Sequence, residues 1–469
     1  MASKMIKCCD GIFTALNFKL IMIVATLLTT IPLFHAYIGG YVKIFLLYGI
    51  IVVLYTAVRQ RSNLFSLFIK DKVNLLLILF LLSYALTVFV NRNSNFAENF
   101  NQLVYMGVFF FLMFIFPSTL EKKQASHETR VISRVIIVTT FAFAVVSFIT
   151  FLFLINGSYS VEGKTVYYGM YEHRLWGLYN PNTGSMLCII SILLSFGFFL
   201  RKEHKVFNII NISLQYICLL LTGSRSALYV LYVIVLAIAI TIAYRLIKLS
   251  KIKKILTSCI MGILSVLIII GAGNVVKFGL SYLPGTIKSI EHVFFKPSDS
   301  EKPFEFEIFD FTRMEQAENR EGGILTGRDD LWKAGIKALG QSPVLGLGRE
   351  NIANEAEKYL EGENWKESLH IGGLHNIYIT VLVSSGILGF SILAVFAALS
   401  FWRVIKNPVR GRKIGLWYGV LTVITMTFYI TELVEARILY QVGIFYVLFW
   451  TFLGLLNAFA LRASESDEK

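Results

Sequence analysis

An all-α polytopic membrane protein with about twelve transmembrane helices is the fold class this sequence predicts, and three observations predict it. Of its 469 residues, 56% are hydrophobic and only 16% are charged, too little charge to solvate a soluble domain of that size. The charge is gathered into short runs between apolar stretches of about 20 residues, the length that crosses a bilayer as a helix. Loops rich in Lys and Arg alternate with loops poor in them along the chain.

The spans read at about 18–38, 42–58, 73–90, 103–118, 132–154, 183–200, 206–222, 226–244, 255–275, 374–402, 413–431 and 439–461. One set of loops, with the two termini, carries 25 Lys and Arg, and the short loops on the other side carry 6. Basic residues near span ends stay cytoplasmic, so both termini are expected inside. The formal net charge of +14 is then topological and faces the inner leaflet, which removes nucleic acid as a partner. The five cysteines, Cys8, Cys9, Cys188, Cys218 and Cys259, lie at the N-terminus or within apolar runs. They offer no external disulfide framework. The first apolar run lacks a small-residue cleavage site and is read as a retained helix.

Three regions follow: spans one to nine over 1–275, a large extracytoplasmic loop over 276–372, and spans ten to twelve with a cytoplasmic tail over 373–469. The loop holds 17 Asp and Glu against 12 Lys and Arg. It reads as partly helical. Residues 328–339 put Leu331, Trp332, Ile336 and Leu339 on one face, and 351–360 form a second helix candidate. Pro284 and Gly285 are expected to break the chain before an interfacial helix, and 304–311 (FEFEIFDF) reads as a short strand.

Four polar clusters map to the external side. Residues 174–184 (RLWGLYNPNTG) enter span six through Asn180, Pro181 and Asn182, which read as a turn and helix start. Residues 222–227 (TGSRSA) are a short turn holding Arg225 at a helix end. Residues 326–329 (TGRD) bring Arg328 to the start of the loop helix. Residues 372–378 (GGLHNIY) place His375 at the mouth of span ten. Each has a bland reading. Arg225 can snorkel to lipid phosphates, Arg328 can pair with Asp329, and His375 can be a local cap. Together, two arginines and a histidine close behind glycines on one membrane face suit phosphate recognition and base chemistry.

The order of these pieces resembles the O-antigen ligase and O-antigen polymerase superfamily. The resemblance is carried by RLWGLYNPN at 174–182, GSRSA at 223–227, TGR at 326–328, PVLGLG at 343–348 and LHNIYITVLVSSGILG at 374–389. It implies a GT-C-like membrane glycosyltransferase that moves a glycan from a polyprenyl-diphosphate carrier to an acceptor hydroxyl, with no metal and no cofactor. Arg225 and Arg328 are implied to contact the diphosphate, and His375 to serve the acceptor hydroxyl. Arg174, Asn180, Asn182, Ser224 and Asn376 form the expected substrate-binding set, with Glu432 a further candidate. The implied partners are the lipid-linked oligosaccharide, the bilayer, a chain-length regulator and a flippase.

Direct displacement would invert the anomeric centre. Two arginines can stabilise the departing diphosphate where a metal would otherwise serve. The favoured product is a polymerised surface polysaccharide (capsule, exopolysaccharide or O-antigen); a ligase acting on a lipid or protein acceptor is the alternative. A metal-dependent transferase would present acids in its first external loop, and 38–42 has none. A lipid-linked oligosaccharide flippase would show charges buried in mid-span. A peptidoglycan polymerase of the shape, elongation and division type would recruit Asp329 or Asp330.

The orientation is tested by single cysteines at positions 205 and 320 and an impermeant thiol reagent applied to intact cells. Labelling at 320 with protection at 205 is expected. The reverse pattern would overturn the orientation.

Overall fold

The computed structural model describes residues 10–59, 71–161, 164–295, 306, 308–313, 328–361, 363–410 and 414–465. Among these, ten helices are long and apolar enough to cross a membrane. Two shorter apolar helices, Ala15–Thr29 and Leu416–Thr431, accompany them. All twelve fall on the apolar stretches read from the sequence, and the chain is a multi-pass helical membrane protein.

The chain divides into two compact units, Met1–Val135 with Gly322–Lys469, and Ile136–Glu321. In chain order, the helices of the first unit open with α1 (Ala15–Thr29), α2 (Pro32–Ile38), α3 (Val42–Arg59), α4 (Lys72–Val90) and α5 (Phe96–Phe109). The boundary between the units falls within α6 (Lys122–Leu152). The second unit continues with strands β1 (Asn156–Val161), β2 (Lys164–Tyr171) and β3 (Arg174–Gly177), then α7 (Pro181–Leu200) and α8 (Lys205–Thr222). It ends with α9 (Arg225–Leu246) and α10 (Lys251–Phe295). The first unit resumes with α11 (Arg328–Leu339), α12 (Ile352–Ala356), α13 (Glu363–Gly372), α14 (Ile377–Val409), α15 (Leu416–Thr431) and α16 (Ile444–Glu465).

In the first unit the decisive feature is a break in α14. Gly386 has φ 65° and ψ −175°, so the helix is interrupted nine residues after Ile377, about 14 Å along the axis at 1.5 Å per residue. Ile387 and Leu388 should donate their N–H groups to the carbonyls of Val383 and Ser384. They donate instead to Pro343 and Val344, at 2.9 and 3.1 Å. The carbonyls so released accept from Leu347 and Gly348, both at 2.9 Å. Every displaced group finds a partner, which backbone far from water requires.

That exchange demands two glycines. A Cβ on Gly346 would stand 2.4 Å from the Gly386 nitrogen, and one on Gly386 would stand 2.1 Å from the Val344 oxygen. Both residues also have positive φ, where an L side chain is strained. The Thr87 hydroxyl caps the Leu345 carbonyl, and Asn91 donates to the Gly346 carbonyl at 3.1 Å. Above the exchange, Leu331, Ala338, Leu347, Ile352, Leu369 and Leu374 share one buried cluster with Val383 of α14. The opposite end of α14 is tied to α4 by Arg403, whose Nη2 lies 2.6 Å from Asp71 Oδ1.

The second unit packs α7 against α8 around a buried polar chain. Thr140 donates to Ser191, and Asn211 donates to both Ser191 and Ser195. Its three-stranded antiparallel sheet has order β1-β2-β3, with an irregular step between Gly169 and Met170. No sheet is expected there from the sequence.

Three expectations for the long loop need correction or completion. Pro284 does not break the chain: α10 runs through it to Phe295. A proline removes one helical hydrogen bond, here the one to the Leu280 carbonyl, and the helix carries on without it; separately, the Phe309 N–H donates to the Ser281 carbonyl at 2.9 Å. The described residues of 304–311 are not a strand; Phe309 instead packs edge-on against Phe151 and Phe311. Residues 351–360 hold the short helix α12 between two single turns of 3-10 helix, and α13 is an added helix.

Candidate active site

The sequence-derived candidates form one group in each unit. In the second unit Arg174, at the start of β3, donates from Nε to the Thr222 carbonyl at 2.9 Å. That contact holds the strand to the C-terminus of α8, where Gly223 adopts φ 66°, the left-handed cap glycine tolerates. Asn180 caps α7, its side chain accepting from the Asn182 N–H at 2.9 Å, and Pro181 occupies the first helical position. Ser224 donates to Asn182 Oδ1 at 3.3 Å. Arg225 opens α9 beside this turn. The asparagine-proline turn and the GSRS turn thus form one hydrogen-bonded assembly, with Arg174 and Ser224 as its struts.

In the first unit α14 starts at Ile377, capped by Asn376, whose Oδ1 accepts from the Ile379 N–H at 3.1 Å. Asn376 Nδ2 donates to the Leu433 carbonyl at 2.9 Å, so both ends of this amide are engaged in structure. His375 precedes it with φ 47°, a left-handed conformation unusual for a residue other than glycine. Its ring lies over Gly372, where a Cβ would stand 2.2 Å from Nε2. Only glycine at 372 leaves the imidazole that position.

A carboxylate missing from the sequence-derived set organises this mouth. Glu435 Oε2 lies 3.6 Å from His375 Nδ1, and Oε1 lies 3.1 Å from Arg437 Nη2 and 3.9 Å from Arg328 Nη2. Arg328 also donates through Nη1 to the Val434 carbonyl at 2.6 Å. It does not pair with Asp329, which serves Lys333 at 2.9 Å. Residues Thr326 and Gly327 of the TGR motif lie outside the described residues. Burial by itself would raise the Glu435 pKa, but the Arg437, His375 and Arg328 groups outweigh it and hold the carboxyl at about 2.

Glu432, the further candidate, is engaged in the turn after α15. Its side chain is buried, and Oε2 accepts the N–H groups of Arg437 and Ile438 at 2.7 and 3.3 Å. Its carbonyl accepts from Ile377. Glu432 therefore closes the turn that carries Glu435. Burial pushes its pKa up to about 7, against the opposing pull of Arg437 and the two N–H groups. The signal for Glu435 in the sequence is slight: an acid and an arginine two residues apart between the last two apolar spans.

The arrangement can perform acid-base chemistry. A carboxylate facing Nδ1 favours the tautomer with its proton there, which leaves the Nε2 lone pair as the base. Two arginines and an imidazole surround one ionised acid, so the mouth is cationic and suited to a phosphate. Next to it an apolar cavity of about 270 Å³ begins at Ile377 and Tyr378 and is lined by Leu393, Phe396, Phe449 and Trp450.

Glu435→Gln would remove the counter-ion from partly buried cations and should destabilise the protein by about 3 kcal/mol near neutral pH. Because folding lowers this carboxyl from 4.5 to about 2, its contribution is full above 4.5 and is lost as pH falls through about 2. Thermal unfolding midpoints of the two proteins should therefore converge as pH drops below 4.5. A difference that persists undiminished in acid would contradict the charge pairing.

A family model described as O-antigen ligase matches residues 209–394, from α8 into α14. An uncharacterised protein of Haemophilus influenzae is 21% identical over 365 residues, covering 73% of this chain and 83% of that protein. The exopolysaccharide production protein ExoQ of Rhizobium meliloti is 30% identical over 135 residues, 27% of this chain and 30% of that protein. The matched residues take in 223–227, 326–328, 343–348 and 374–389 and leave out 174–182; the similarity of this chain is to the O-antigen ligase and O-antigen polymerase superfamily.

Proposed function

We propose that this chain is a glycosyltransferase of the bacterial cytoplasmic membrane, transferring a glycan from a polyprenyl-diphosphate carrier to an acceptor hydroxyl at the outer face. The observation that carries this reading is the His375–Glu435 pair. Its imidazole packs over Gly372, faces the ionised Glu435 carboxylate through Nδ1 at 3.6 Å, and shares that carboxylate with Arg328. In the proposed step Nε2 takes the proton of the acceptor hydroxyl while that oxygen attacks the anomeric carbon. The bond from that carbon to the diphosphate oxygen breaks, and polyprenyl diphosphate leaves with the electron pair. Displacement from the opposite face inverts the centre.

Arg328 keeps donors beyond those spent on Val434 and Glu435, and these serve the growing charge on the diphosphate. The motif resemblance extends the same role to Arg225, and substitution there tests that assignment separately. The apolar cavity beginning at Ile377 is suited to the first isoprene units of the carrier. The exopolysaccharide relative supports polymerisation of repeat units as the product. The family description supports the alternative, transfer of a finished glycan to a lipid or protein acceptor.

The test uses purified full-length protein with a polyprenyl-diphosphate oligosaccharide. His375→Gln should lower turnover by about 10² to 10⁴-fold and leave donor binding unchanged, and transfer by the wild type should persist in excess chelator. Arg328→Lys should also impair transfer, because lysine keeps the charge and loses the planar fork. Wild-type turnover in the His375→Gln protein would refute the base assignment.

A further inference from the structure

Arg349 follows the PVLGLG segment directly and is 8% exposed. Its backbone N–H donates to the Tyr84 hydroxyl at 3.3 Å. Its guanidinium makes no hydrogen bond or ion pair with any described residue. The neighbouring acid does not serve it: Glu350 accepts from the Gln102 amide through its side chain and holds Asn99 through its backbone N–H. A guanidinium on a residue this little exposed, with no protein partner, is costly and calls for a specific explanation.

The side chain is aimed at the histidine turn. A Cβ on Gly373 would lie 2.9 Å from Arg349 Nη2 and 3.6 Å from Cζ. A Cβ on the preceding residue, Gly372, would meet the His375 ring instead. Two successive glycines, with Cα atoms about 3.8 Å apart across a trans peptide, therefore carry the imidazole over one and the guanidinium over the other. The arginine is also held rigidly. Gly348 has φ 81°, and a Cβ there would press on the Asn99 amide at 3.1 Å, so the backbone entering Arg349 is fixed by contacts on both sides.

We propose that Arg349 is a further binding residue of the site, holding an oxyanion of the substrate at the turn formed by Gly372 and Gly373. The inference rests on the transferase reading above. A planar fork suits either a phosphate of the donor diphosphate or the carboxylate of an acidic acceptor sugar. The cation stands unpaired because its counter-ion arrives with substrate.

This assignment makes an unusual demand: removing the charge should stabilise the empty protein and weaken the occupied one. Full-length wild type, Arg349→Met and His375→Gln are melted alone, with a glycan-free polyprenyl diphosphate, and with glucuronate. Arg349→Met should melt above wild type without ligand. It should lose the stabilisation given by polyprenyl diphosphate, with affinity reduced at least about tenfold, while His375→Gln retains it. If only the glucuronate response is lost, the oxyanion is the acceptor's carboxylate. Arg349→Lys should recover part of the response and controls for folding. A ligand-free Arg349→Met protein that melts below wild type and binds both probes normally would show a structural strut and overturn the proposal. If wild type itself responds to neither probe, the transferase reading falls and Arg349 with it; an equal response in wild type and Arg349→Met overturns Arg349 alone.

Discussion

Two interrupted backbones complete each other at Gly386, and the first unit is organised around that exchange. Carbonyls of Val383 and Ser384 lose their helical donors to Pro343 and Val344, and take the N–H groups of Leu347 and Gly348 in return. Within a low-dielectric bundle each unmatched group would cost several kcal/mol. The break is therefore stable only as a set of four bonds with both glycines in place. Its product is positional. The segment 343–348 is fastened to α14, Arg349 emerges at a defined angle, and the shared core from Leu331 to Leu374 sets α11 and the histidine turn above it.

Charge is arranged on that frame with the same economy. One acid, Glu435, faces Arg328, Arg437 and His375, and a second acid, Glu432, shapes the turn that presents it. The surplus of cations is unfavourable for an empty protein and would favour an anionic ligand such as the proposed diphosphate. Strain is placed similarly. His375 lies at positive φ, and such strain concentrates where ligands are handled. Stability is given up locally, and the packed core of α14, α15 and α16 with the residues of α11 to α13 compensates.

Much of this was legible from residue order alone. Apolar runs between basic loops located the spans, because hydrocarbon thickness imposes a length that soluble folds do not. Short polar motifs singled out Arg225, Arg328 and His375 as candidates, because glycine, arginine and histidine carry distinct chemistry even without coordinates. What stayed hidden depends on contacts distant in sequence. Glu435 has no motif around it, and its role appears only when the turn after α15 meets the start of α14. Arg349 sits one residue beyond a recognisable glycine pattern and looks like any loop arginine until its burial is seen. Helix α10 passes Pro284 where the sequence suggests a stop, at the loss of a single hydrogen bond. The β1 to β3 sheet arises from a Tyr- and Gly-rich loop whose alternation is too irregular to announce strands.

Amide hydrogen exchange across residues 343–348 and 383–388 reads this backbone pairing directly. Leu347, Gly348, Ile387 and Leu388 should exchange as slowly as amides inside α16. Gly386→Ala, which drives a Cβ into the Val344 carbonyl, should release all four together and abolish the proposed transfer. Loop-like exchange at these four amides in the wild type, or full protection with full transfer in Gly386→Ala, would contradict the pairing.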